Sequence, residues 1–123
     1  MQCRAMLWER WAPRIVCYSS PDLKNWKWVS YPLKPSAHAE LASSKIERPK
    51  VIYNATTGKY VMWMHYENAA DDSLGRVAVA SSRSVCGSYT YHGRFRPLGY
   101  ESRDMTVFKV HLSGRPLERE PAR

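Results

Sequence analysis

Apolar and polar residues alternate along this chain at short intervals, and the prevailing period is two. Between Lys59 and Tyr66 (KYVMWMHY), Tyr60, Met62, Met64 and Tyr66 fall on one face of an extended segment, with Val61, Trp63 and His65 on the other. Both faces are largely apolar, which predicts a strand covered on both sides. Shorter β-branched and aromatic runs predict further strands at 15–18, 26–31, 47–53, 76–82, 89–91 and 104–110. Turn signals separate them: Ser19-Ser-Pro-Asp22, a loop over 32–46 containing Pro32 and Pro35, and a polar loop over 67–75. Asn54 to Gly58 reads as a hairpin turn in which Gly58 supplies a positive φ. No segment of helical period competes, so the expected fold class is all-β.

One internal echo adds a geometric expectation. Arg48-Pro-Lys-Val-Ile-Tyr53 superposes on Arg103-Asp-Met-Thr-Val-Phe108 at an offset of 55 residues. Four-stranded blades of β-propellers repeat at a similar spacing, roughly every 40–50 residues. In this register Asp104 matches Pro49, two positions after Glu47, so Glu47 and Asp104 share a face at the start of equivalent strands. Propellers gather their innermost strands around a channel, and the two carboxylates are therefore expected to converge on one pocket.

Composition narrows the function classes. The 123 residues include five Trp and eight Tyr against two Phe, a balance suited to surfaces that need an apolar face with a polar tip. The net charge of +8 is dispersed: +2 in residues 1–14, +5 in 15–109 and +1 in 110–123. With no run of five or six like charges and no zinc-finger or RNP pattern, the surface reads as solvated and mildly basic, and no nucleic-acid partner is expected. No apolar run is long enough for a transmembrane helix, so no membrane partner is expected either. Cys3, Cys17 and Cys86 are odd in number and lack CxxC spacing, so no metal site or cofactor is expected. Cys17 and Cys86 read as small buried side chains.

Four segments then resemble a known family. Tyr18-Ser-Ser-Pro-Asp-Leu-Lys-Asn-Trp26 is similar to the YSS-x-DL-x-NW segment of glycoside hydrolase family 43 and its five-bladed propeller relatives. Glu47-Arg-Pro-Lys-Val-Ile-Tyr-Asn54, Tyr60-Val-Met-Trp-Met-His65 and Ser102-Arg-Asp-Met-Thr-Val-Phe108 resemble its exo-β-1,3-galactanase branch, and the match covers about residues 15–108. The resemblance implies a fragment of about two blades of a five-bladed β-propeller. It divides the chain into an atypical segment 1–14, a partial propeller domain 15–110 and an atypical, disordered tail 111–123.

The resemblance also implies inverting hydrolysis of O-glycosyl bonds in a galactan-type polysaccharide or oligosaccharide. Asp104 matches the carboxylate that tunes the acid and orients the sugar. Glu47 matches the branch's active-site glutamate, which binds sugar hydroxyls or positions water. These two are the catalytic candidates, with Arg48, Arg103, His65 and Glu67 as substrate-binding candidates. On composition alone Glu47 reads as a solvated strand-end carboxylate, Asp104 as a turn residue and His65 as core packing. Arg48 and Arg103 are expected to pair with nearby carboxylates. The proton donor is expected on the following blade, beyond this chain, because Glu120 stands too close to Asp104 in sequence. The chain alone is thus expected to be catalytically incomplete.

The family pattern has a Tyr where Asp72 stands, which weakens the case for sugar contact by the 67–75 loop. The alternative reading is a non-catalytic carbohydrate- or partner-binding remnant, with self-association through unpaired blade edges. Extracellular location goes with the family, while the chain as written shows no secretory signal.

Overall fold

A computed structural model describes residues 3–8 and 14–110. Seven strands form two antiparallel sheets. The first contains β1 (Cys3–Trp8), β2 (Ile15–Ser20) and β3 (Lys27–Leu33), in that order. The second contains β4 (Ser44–Asn54), β5 (Lys59–Asn68), β6 (Arg76–Ser82) and β7 (Thr90–Phe95), again in chain order. Two meanders of this kind are the blade-like units expected from the sequence. Short 3₁₀ turns at Pro35–Ala37 and Ala39–Leu41 connect the sheets. The hairpin between β4 and β5 turns at Gly58, whose φ is +68°.

The core lies between the sheets. Ile15 and Leu33 from the first sheet meet Ile46, Met62, Met64, Ala78, Ala80 and Tyr91 from the second. Ala78 and Ala80 keep β6 thin, so the sheets can approach over the large side chains of β5. Met62, Met64 and Tyr66 are buried in this core. The other face of β5 is covered only at one end: Val61 and Trp63 are half-buried, whereas His65 is buried.

Three features depart from the sequence reading. Cys3–Trp8, within the segment set apart as atypical, pairs with β2 over its whole length. Asp104–Val110 is not a strand. It begins in a bend at Asp104 and has no ladder partner among the described residues, and Phe108 is 86% exposed. Its β-branched and aromatic residues report fitness for a sheet, which still requires a neighbouring strand to pair with. Finally, Cys17 and Cys86 are joined in a disulfide that ties β2 to the turn after β6, closing a loop across both sheets. The spacing of two cysteines 69 residues apart carries no signal that they meet. The 111–123 tail and Glu120 lie outside the described residues.

Candidate active site

β1 and β4 run beside one another where the two sheets meet, and a cleft of about 390 Å³ opens between them, lined by Met6, Leu7, Ile46, Glu47, Arg48, Pro49 and Lys50. Its volume falls in the range of small-ligand sites, roughly 300–1,000 Å³. The β4 side is shaped by a bulge. Glu47 pairs with His65 and Lys50 with Trp63, so Arg48 and Pro49 together oppose a single residue of β5. Arg48 takes a left-handed φ of +52°, a conformation that costs a residue with a Cβ about 1–2 kcal/mol. A bulge re-aims side chains next to it, and here Pro49 turns inward while Arg48 turns out to solvent.

Arg48 reaches Asp104. Its guanidinium lies 3.4 Å from the Asp104 carboxylate, an exposed pair. One donor atom each from Glu47, His65 and Asp104 lie within 4.8 Å of one another. The site thus joins β4, β5 and the segment after β7. Three such atoms could surround a cation, but the Arg48 guanidinium already supplies positive charge to Asp104.

Behind the cleft is a buried polar knot centred on Glu67, which is 1% exposed. Its Oε1 accepts from His65 Nε2 at 2.9 Å, Gly75 N at 2.8 Å and Arg103 Nη1 at 2.9 Å, and its Oε2 accepts from Leu74 N at 2.9 Å. Burial pushes the Glu67 carboxyl up, but the hydrogen bonds from His65, Gly75 and Leu74 outweigh it and hold the group below its ordinary value. Arg103 also donates to the Asp72 carbonyl at 2.7 Å and pairs with Glu101 at 3.2 Å. Gly75 is required where it stands. Its φ is +53°, and a Cβ there would come within 3.1 Å of Glu101 Cβ. The bare backbone lets Ser102 N donate to Gly75 O at 2.7 Å, so the 101–104 segment lies directly on the end of the 67–75 loop.

All six candidate side chains therefore belong to one connected region, in two tiers. Glu47, Arg48 and Asp104 are at the solvent-facing tier, and Glu47 and Arg48 line the cleft. His65, Glu67 and Arg103 form the tier behind, where Glu67 is enclosed by donors. Both arginines pair with carboxylates, as expected from their sequence context. Asp72, in the 67–75 loop, is paired with Lys45 of β4. The sequence reading missed Gly75 and Lys45. A lone glycine after a polar loop is a signal for the first, while nothing in the sequence marks the second.

The fold has counterparts among solved structures. Neither a protein-family model nor a curated protein sequence matches the chain. An exo-β-1,3-galactanase from Clostridium thermocellum does, with 40% identity and a TM-score of 0.70 over 78% of this chain and 21% of that one. This chain resembles the β-1,3-galactanases of glycoside hydrolase family 43 over part of their length. The family 43 exo-β-1,3-galactanase of Phanerochaete chrysosporium, as a glutamate-to-glutamine variant with β-1,3-galactotriose, is 40% identical with a TM-score of 0.76. That match covers 81% of this chain and 23% of the other. A family 43 β-1,3-galactosidase is 35% identical with a TM-score of 0.73, over 84% of this chain and 23% of its own. This chain thus spans about a fifth to a quarter of the length of these three family 43 proteins.

Proposed function

We propose that this chain carries the galactose-recognising part of a family 43 glycoside hydrolase site, acting on the O-glycosyl bonds of β-1,3-galactan. The convergence of Glu47 and Asp104 beside one cleft, from positions 57 residues apart, is the observation that carries this reading. Identity of 35–40% to proteins described as β-1,3-galactanases and galactosidases supports the substrate class.

An inverting pair of acid and base stands about 6.5–9.5 Å apart, leaving room for water between base and sugar. Oxygens of Glu47 and Asp104 lie within 4.8 Å of each other, and we assign the two to work other than that of acid and base. Glu47 accepts hydrogen bonds from sugar hydroxyls or from the attacking water. Asp104, held by Arg48, sets the local charge and orients the ring. The acid that protonates the leaving oxygen is a third group beyond the described residues. General-acid help is worth about 10²–10⁴-fold, so Glu47 and Asp104 without that acid release negligible galactose from unactivated galactan.

Calorimetric titration with β-1,3-galactotriose tests the binding claim. Saturable binding weakened by both Glu47→Gln and Asp104→Asn is expected. Absence of binding by the folded chain rejects the claim, and galactose release abolished by Glu47→Gln rejects the catalytic part.

A further inference from the structure

His65 has a peculiarity that the sugar-binding reading does not use. Its Nε2 lies 2.9 Å from Glu67 Oε1, whereas its Nδ1 is buried without a hydrogen-bond partner, 3.5 Å from Glu47 Oε2. Glu67 also takes the Leu74 and Gly75 amides and the Arg103 guanidinium. A carboxylate so surrounded is an acceptor only, and the network therefore assigns the proton to His65 Nε2. In the neutral ring Nδ1 then presents a lone pair toward a carboxylate oxygen. Two acceptors facing one another, one of them buried, are unfavourable unless a proton lies between them.

We propose that His65 is a positioning residue for Glu47: anchored from behind by Glu67, it shares one proton with the Glu47 carboxylate and holds that carboxylate at the cleft. This deepens the assignment of Glu47 as a substrate-facing group and rests on it. The shared proton has two equivalent descriptions, a neutral Glu47 donating to Nδ1 or an imidazolium donating to ionised Glu47. Either closes the gap with one hydrogen bond, and either fixes the side-chain torsions of Glu47. The charges around the ring are named on all sides. Glu47 on β4, Glu67 on β5 and Asp104 after β7 favour a positive ring. Arg103 on Glu67, Arg48 on Asp104 and Lys45, whose charge acts on Glu47 and Glu67, oppose it.

Two measurements on the 123-residue chain test the proposal. Side-chain nitrogen NMR at one fixed pH reads the hydrogen-bond state of His65 Nδ1 and Nε2 in the unaltered chain and in Glu47→Gln, a change at a half-exposed position that preserves shape. Loss of the carboxylate that shares the proton is expected to move the Nδ1 resonance while Nε2, held by Glu67, stays in place. An unchanged Nδ1 resonance overturns the proposal. Calorimetry with β-1,3-galactotriose then compares His65→Gln, Glu47→Gln and the double variant. Losses that overlap, so that the double variant is little worse than Glu47→Gln, support positioning, whereas additive losses overturn it. Should His65→Gln not fold, the NMR comparison decides alone. A His65 shift without any galactotriose binding supports the His65–Glu47 coupling and removes the galactan reading instead.

Discussion

Arg103 Nη1 donates to the buried Glu67 Oε1 at 2.9 Å, and through that bond the residue next to Asp104 is fixed to β5. Asp104 itself belongs to no strand. Its place beside Glu47 depends on its neighbour's grip on Glu67, on Ser102 N against Gly75 O and on the exposed pair with Arg48.

Arg103→Ala removes that grip and leaves Glu67 with the His65, Leu74 and Gly75 donors. Arg103 is itself 44% exposed, so the cost is that of a charged hydrogen bond, about 2 kcal/mol. Thermal unfolding should show a Tm lower by about 8 °C. Galactotriose affinity should fall as well, because Asp104 loses one of its three holds.

Acid should destabilise the chain through Glu67. Its folded pKa lies below the ordinary 4.5, so its stabilisation is complete above about pH 4.5 and is lost as pH falls through the lower, folded value. Urea unfolding at pH 7, 4.5 and 3 should show this loss, and Glu67→Gln should flatten it. An equal acid dependence in Glu67→Gln would assign the effect to other carboxylates.

Position 48 should rank its substitutions by backbone conformation. Arg48→Ala keeps the left-handed φ of +52° and loses the exposed ion pair. Arg48→Gly loses the same pair but relieves about 1–2 kcal/mol of strain, partly offset by roughly 0.5–1 kcal/mol of extra chain entropy. Chemical denaturation should therefore find the glycine variant more stable than the alanine variant by about 1 kcal/mol. A less stable glycine variant would contradict the bulge geometry.

Reduction should weaken the fold substantially. Closing the loop between Cys17 and Cys86, 69 residues apart, is worth about 4 kcal/mol in chain entropy. The urea midpoint should drop on adding reductant, and thiol titration of the unfolded chain should count two more groups after reduction than before. Equal counts would show that the pair is not formed.

Much of the sheet structure was legible because it obeys local rules. The alternation of Tyr60, Met62, Met64 and Tyr66 names the core face of β5, and Gly58 marks its hairpin. The meeting of Glu47 and Asp104 was expected from the repeated Arg-led segments, although Asp104 reaches Glu47 from outside any strand and not from the start of an equivalent one. What escaped depends on partners distant in sequence. Strand propensity at 104–110 cannot say whether a neighbour is there to pair with it. The bulge at Arg48 and Pro49 looks locally like an ordinary strand start. The Cys17–Cys86 link is invisible in the spacing of its cysteines. The buried knot was only half visible: Glu67 and Arg103 were candidates, but the Gly75 backbone that completes it is marked by geometry alone.

The disulfide also divides the site mechanically. Glu47, His65 and Glu67 lie inside the loop it closes, while Arg103 and Asp104 lie outside it. Tension applied to the two ends of the chain passes from Cys17 to Cys86 through the sulfurs and bypasses everything between them. Asp104, held only by hydrogen bonds and ion pairs, would be stripped from the cleft first, while Glu47 and His65 stayed shielded from the pull.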